Sequence, residues 1–123
     1  MPITRFSSGG PFEEKVGYCR VVRAGDTVYV AGTCAQEPTP GGILAQCESV
    51  LSRSEAALAQ AGAGFEHVVR VNYYLADLRE FDVCWPMLAE ACGAHPPAGT
   101  AVEAKLIAPE DRIEIEVTAY IGD

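Results

Sequence analysis

Two carboxylates recur at alternate positions near the end of the chain, where Glu114 and Glu116 are interleaved with Ile113, Ile115 and Val117. Because successive side chains of a β-strand point to opposite faces, this spacing places both carboxylates on one face and the aliphatic side chains on the other. A carboxylate held near an electrophilic carbon can act as a general base or hold a water molecule. The polar face of such a sheet is usually exposed to solvent, so a pair of solvated side chains is the default interpretation.

The cysteines are the second group of residues that could take part in a reaction or bind a metal. The chain has five of them, at an odd count and irregular spacing with no C-x-x-C pair: Cys19, Cys34, Cys47, Cys84 and Cys92. This pattern predicts neither a disulfide framework nor a zinc site, so we expect reduced thiols that act as small hydrophobic side chains, and no metal. Cys34 has no histidine near it in the sequence, which favours a buried thiol over an activated nucleophile.

The segment before the carboxylate strand shows the same alternation. Val102, Ala104 and Leu106 alternate with charged residues, and the turn-rich residues 108–111 separate them from the last strand. Two alternating runs around a short polar loop predict a β-hairpin with one apolar face.

The remaining elements are predicted from periodicity and from breaking residues. Residues 18–22 and 27–31 are β-rich and form a first predicted hairpin, and residues 68–75 alternate as a further strand. Apolar residues at helical spacing predict a helix over 43–61, ended by Gly62, and a second helix beginning near Asp82. Residues 36–42 are expected to form a loop, and residues 1–16 a polar irregular segment anchored by Phe6 and Phe12.

The element order β-β-α-β-α-β-β predicts an α+β two-layer sandwich with both helices on one sheet face. The length of 123 residues fits a single domain over 1–123. The uncovered sheet face is expected to be polar and partly aromatic; its predicted members are Asn72, Tyr74, Glu103, Lys105, Glu114 and Glu116.

Charge and hydropathy exclude some partners. Nine basic residues against seventeen acidic ones give a net charge of −8, without the basic cluster that nucleic-acid binding requires. No apolar run approaches the roughly 18 residues of a membrane span, and the N-terminus lacks an apolar signal core. We therefore expect a cytoplasmic protein that binds neither nucleic acid nor membrane.

The sequence resembles the YjgF/RidA family of trimeric enamine/imine deaminases along nearly its whole length. The resemblance rests on VGYCRVVRAGDTVYVAGT near the start, VVRVNYYLADLREF in the middle, and PAGTAVEAKL and IEIEVTA at the end. It implies a chorismate-mutase-like fold and a homotrimer formed through the uncovered sheet face. It also implies small-molecule clefts between subunits and no cofactor. The family is labelled a ribonuclease in places, and the acidic charge balance gives that label no support.

The sequence departs from the family pattern at one decisive residue. Family deaminases bind the substrate carboxylate through an arginine just after the PA of the C-terminal segment, whereas Pro97-Ala98 is followed here by Gly99 and Thr100. No basic residue nearby in the sequence replaces it, since Lys105 lies further along. Together with the bulky indole of Trp85, the missing arginine predicts a larger, flatter or less anionic ligand. Backbone amides near Gly99 and Thr100 are expected to polarise that ligand.

The other positions that line the cleft in the family are matched only in part by this sequence. Glu116 matches the family glutamate that holds a water or shuttles a proton and is the predicted catalytic residue, while Glu114 is expected to face solvent or a trimer contact. Tyr18 matches a cleft tyrosine, with strand packing an equal alternative.

Thr33 and Cys34 follow a strand end where the family lines its cleft. Trp85 replaces an asparagine that lines the cleft in the family, although a core position is favoured for this side chain.

These residues support one functional hypothesis and two alternatives. The hypothesis is an enzyme that acts on a reactive enamine, imine or related carbonyl intermediate of a specific pathway, by water addition or tautomerisation. The first alternative is a non-catalytic trimer that binds a small metabolite or a partner protein in the same clefts. The second is thiol-based redox or chaperone-like protection.

Overall fold

The structure is a computed structural model that describes residues 2–36 and 41–123. Its elements in chain order are β1 (Ile3–Phe6), α1 (Pro11–Val16), β2 (Val21–Ala24), β3 (Thr27–Thr33), α2 (Ile43–Gln60), β4 (Val68–Leu75), α3 (Phe81–Cys92), β5 (Ala98–Glu103) and β6 (Ile113–Tyr120). Short 3₁₀ turns over Phe65–His67 and Leu78–Glu80 precede β4 and α3. Residues 37–40 of the predicted loop lie outside the described residues.

The strands form one six-stranded sheet in the order β1-β2-β3-β6-β4-β5. The buried side chains of β6 are its alternate residues Ile113, Ile115, Val117 and Ala119, which face the core together with the apolar stripe of α2. α3 packs against α2 on that same side, where Phe81 contacts the ring of Tyr73. The predicted α+β two-layer architecture is therefore confirmed, because α2 and α3 lie on one side of a single sheet and α2 and β6 bury the face that their periodicity indicated.

The predicted C-terminal hairpin is wrong. β5 pairs with β4 in parallel, with Gly99 opposite Val71 and Thr100 opposite Asn72, whereas β6 lies between β3 and β4 and is antiparallel to both. The strongly apolar β6 takes a central position, and β5, which is built mainly of small residues, takes the edge. The α3 crossover between β4 and β5 is the connection that parallel strands require.

The shortened β5 also changes the composition of the uncovered face. The strand ends at Glu103, so Lys105 lies beyond it, and Glu103 pairs with the buried Leu75 on the helix-covered side. There Glu103 Oε1 accepts a hydrogen bond from the Leu78 amide. Glu103 and Lys105 are thus absent from the face where the sequence predicted them. We call the side of the sheet away from α2 and α3 the open face; its members include Tyr29, Arg70, Asn72, Tyr74, Thr100, Val102, Glu114, Glu116 and Thr118.

The N-terminal segment is more ordered than its composition suggested. β1 pairs antiparallel with β2, and the short α1 follows it. Glu13 of α1 is only 5% exposed and accepts hydrogen bonds from the Ser8 hydroxyl, the Ser8 amide and the Gly10 amide. The Ser8 hydroxyl is the main reason that the pKa of Glu13 falls to about 2. This carboxylate is the internal partner that orders a segment rich in glycine and serine.

No helix among the described residues is both long and apolar enough to cross a bilayer.

Candidate functional site

Glu116 lies in the middle of the open face, on the central strand β6. Its Oε1 accepts hydrogen bonds from Asn72 Nδ2 at 2.9 Å and from the Tyr74 hydroxyl at 3.0 Å. Both donors come from β4, where a spacing of two residues places them on the same face. They hold the carboxylate in one orientation and, within the described part of the chain, leave its Oε2 without a protein partner.

The phenol of Tyr74 is a fixed donor in this arrangement. Its pKa is raised, first because its hydroxyl donates to the Glu116 carboxylate and then by burial. Tyr74 therefore keeps its proton at neutral pH and remains a hydrogen-bond donor to Glu116.

The open face also carries the cationic side chain of Arg70, two residues from Asn72 on β4. Thr100, Asn72 and Glu116 form one row across β5, β4 and β6. Arg70 Nη1 donates to Thr100 Oγ1 at 3.2 Å across a sequence separation of 30. Among the residues that the structure describes, Arg70 forms no ion pair. Arg70 is distant from Gly99 and Thr100 in the sequence. It could not be predicted as their neighbour, because only the parallel pairing of β4 with β5 brings these residues together.

The second carboxylate of β6 contacts a thiol. Cys34 Sγ donates to Glu114 Oε1 at 3.3 Å. Burial is the main cause that raises the pKa of the Cys34 thiol, and the negative charge of Glu114 raises it further. Cys34 is thus a neutral thiol at physiological pH, not an activated nucleophile. A Cβ at Gly32 would collide with the Glu114 carboxyl, so the glycine makes room for that side chain.

The predicted site residues near β2 and the end of β3 are organised by Arg20. The buried Thr33 hydroxyl donates to the Ala31 carbonyl at 2.9 Å and accepts from Arg20 Nη1 at 3.1 Å. Tyr18 is partly exposed, and its ring lies 5.7 Å from the Arg20 guanidinium carbon. Thr33 therefore has its hydrogen bonds satisfied on the helix-covered side, away from Glu116.

A sequence model of the family described as "Endoribonuclease L-PSP" matches residues 11–121. The chain belongs to the YjgF/RidA family. A "RutC family protein" of Pyrococcus abyssi is 32% identical over 108 residues, which cover 84% of this chain and 85% of that relative. The mouse "2-iminobutanoate/2-iminopropanoate deaminase" is 26% identical over 110 residues, covering 85% of this chain and 82% of the mouse protein.

A solved structure supports the same assignment. A Mycobacterium tuberculosis protein described as a member of the highly conserved YjgF/YER057c/UK114 family superposes with a TM-score of 0.92 at 41% identity, covering 98% of this chain and 100% of that one. The YjgF/RidA membership therefore rests on both sequence and fold.

Two positions that the YjgF/RidA resemblance singled out lie apart from Glu116. A Cβ at Gly99 would lie 3.4 Å from Val71 Cγ1 and 3.7 Å from Tyr73 Cε2, so Gly99 faces the helix-covered side while its neighbour Thr100 faces Glu116. Trp85 is 57% exposed and packs edge-on against Phe81. Its expected core position is wrong, because Cys84 and Leu88 define the buried stripe of α3 and Trp85 projects beside that stripe.

The open-face site thus joins one predicted catalytic residue, Glu116, and one predicted ligand residue, Thr100, with three residues not proposed from the sequence: Arg70, Asn72 and Tyr74. The alternation of β4 had placed Asn72 and Tyr74 on the polar face, but their partner on β6 depends on register. No cluster of three His, Cys, Asp or Glu side chains suited to a metal occurs in residues 2–36 and 41–123.

Proposed function

We propose that this YjgF/RidA protein is a cytoplasmic enzyme that acts on a reactive enamine, imine or related carbonyl intermediate of a specific pathway. The observation that carries the proposal is the Glu116 carboxylate, whose Oε1 is held by Asn72 and Tyr74 and whose Oε2 has no partner among the described residues. The mouse relative named as an imine deaminase supports the same chemistry at the level of the family.

The geometry supports water addition with Glu116 as the base. Glu116 Oε2 accepts a proton from a water molecule whose oxygen bonds to the imine carbon, while the electron pair of the C=N bond moves to nitrogen. Glu116 delivers that proton to the nitrogen, which gives a carbinolamine. Glu116 then takes the hydroxyl proton and passes it to the amino nitrogen, so that the C–N bond breaks, ammonia leaves and the carbonyl forms. For a tautomerisation, the same oxygen moves one proton between nitrogen and carbon.

Arg70 is suited to an anionic end of such a substrate. Its guanidinium reaches Thr100, which lies two strands from Glu116, or roughly 10 Å between Cα atoms at the usual strand spacing. That span accommodates a small carboxylate-bearing imine together with a water molecule. This role for Arg70 favours an anionic ligand over the less anionic one expected from Gly99.

We further propose that the protein is a homotrimer joined through part of its open face, with substrate clefts between subunits. Support comes from apolar side chains left uncovered there, including Tyr29 and Val102. Light scattering of the purified protein tests the assembly.

Imine hydrolysis, followed as ammonia and keto-acid release from imines generated in situ, tests the function. Glu116→Gln keeps the shape of the side chain but cannot take up a proton, so kcat should fall by about 10²–10⁴. Glu114→Gln, on the same strand and face, and the exposed Glu55→Gln should keep turnover within a few fold.

Loss of turnover in Glu114→Gln alone would transfer the base role from Glu116 to Glu114. Absence of turnover in folded wild type across anionic and uncharged imines would refute the enzymatic proposal in favour of a binding role.

A further inference from the structure

Two arginines line one cavity on the helix-covered side of the sheet. The cavity measures about 350 Å³ and lies between α2, the end of β3 and the N-terminal segment, with Arg20, Arg53, Ser8 and Thr33 in its wall. It is separate from the open face that carries Glu116, and the proposed imine chemistry makes no use of it.

Among the described residues, both guanidinium groups donate to carbonyl and hydroxyl oxygens. Arg20 Nη1 donates to the Gly32 carbonyl at 2.7 Å, and Arg53 Nη1 donates to the Cys34 carbonyl at 2.5 Å. Neither arginine forms an ion pair with any described residue. The chain has a net charge of −8, yet within its described part these two cations have hydrogen bonds but no carboxylate partner.

One donor in this cluster is buried without a partner. Arg20 Nε is inaccessible to solvent and makes no hydrogen bond within the described residues. The protein therefore leaves part of this guanidinium's hydrogen-bonding capacity unsatisfied. Ser8 also lies in the cavity wall, but its hydroxyl already donates to Glu13 Oε2.

The two positive charges lie close together. Their anchoring carbonyls belong to Gly32 and Cys34, which are two residues apart, or about 6–7 Å in extended backbone. Like charges at this separation repel each other in a partly buried setting, and an anion between them would relieve the repulsion.

We propose that this cavity is a binding site for a small oxyanion, a carboxylate or a phosphate group, held between Arg20 and Arg53. The planar guanidinium groups match the oxygen geometry of both anions, and the cavity volume fits a compact ligand or the anionic end of a longer one.

Titration of the full-length protein with inorganic phosphate or acetate tests the site, at constant ionic strength set by chloride, with calorimetry and amide NMR shifts as readouts. Saturable binding is expected with shifts centred on Arg20, Gly32 and Arg53. Arg53→Gln should raise the Kd at least tenfold through loss of a charge-assisted contact. Arg79→Gln is the matched control, since Arg79 is exposed and already paired with Asp77.

A second pair of variants keeps both arginines and so avoids disturbing the end of β3. Ala56 lies on α2 at the cavity wall and is solvent exposed. Ala56→Glu should supply an internal carboxylate and abolish binding of the added anion, whereas Ala56→Gln should not.

Preference for phosphate over acetate, or the reverse, identifies the ligand class. Equal Kd values for wild type and Arg53→Gln, or no saturable binding of either anion to wild type, would overturn the proposal.

Discussion

Gln46 is the side chain on which the placement of the carboxylate strand depends most directly. It lies on the buried side of α2 with 5% of its surface exposed. Its Nε2 donates to the Glu110 carbonyl at 2.8 Å, and its Oε1 accepts from the Arg112 amide at 2.7 Å. These two bonds tie the end of the β5–β6 connection to α2 immediately before β6 begins.

Gln46→Ala removes both bonds and should lower the free energy of unfolding by about 2–4 kcal/mol. Two neutral hydrogen bonds contribute about 1 kcal/mol each, and a partly buried Arg112 amide left unpaired adds up to roughly 2 kcal/mol. The melting temperature should fall by roughly 10 °C.

Gln46→Glu separates the two contacts. Its oxygen still accepts from the Arg112 amide, but the ionised carboxylate cannot donate to the Glu110 carbonyl. Burial raises the pKa of the new carboxyl in the folded state, so its stabilising contribution is present below its unfolded pKa and is lost as the pH rises. The stability gap from wild type should therefore be smaller at pH 4.5 than at pH 7.

Urea unfolding at fixed protein concentration measures both effects, because subunit association would otherwise shift the midpoints. Gln60→Ala, an exposed glutamine on the same helix, is the control and should change stability by less than about 0.5 kcal/mol. A Gln46→Ala loss no larger than that of Gln60→Ala would refute the argument that this side chain secures β6.

Three further outcomes are expected. Glu13→Gln should lower the free energy of unfolding by about 1–2 kcal/mol at pH 7. Because the pKa of Glu13 in the folded state is depressed to about 2, this loss should shrink as the pH falls from about 4.5 toward 2. A difference in urea midpoints that does not change with pH would contradict the prediction. Glu114→Gln should lower the pKa of the Cys34 thiol and speed its alkylation by iodoacetamide, and an unchanged rate-against-pH curve would show that the carboxylate has no influence. Gly62→Ala, at φ +80°, should destabilise the protein by about 1 kcal/mol, whereas Gly42→Ala, at φ −91° with free space around it, should not; equal thermal shifts would rule out the backbone explanation.

The contacts of the open-face site could be predicted from the sequence only in part. Glu116 was found from the alternation of β6 together with the family resemblance, and Asn72 and Tyr74 were placed on the correct face by the alternation of β4. Their contact spans 44 positions in the sequence for Asn72 and 42 for Tyr74, and depends on the antiparallel register of two strands. The contact between Arg70 and Thr100 likewise depends on strand pairing, so local sequence does not predict it.

The types of α2, α3, β3, β4 and β6 could be predicted from local sequence, because periodicity reports which side of an element is buried whatever its partner. The pairing of β5 with β4 and the addition of β1 to the sheet could not be predicted in this way. Strand pairing depends on contacts between distant residues and on the competition of several edges for one partner, which no local pattern records. The pairing of β5 with β4 in turn places Thr100 beside Arg70.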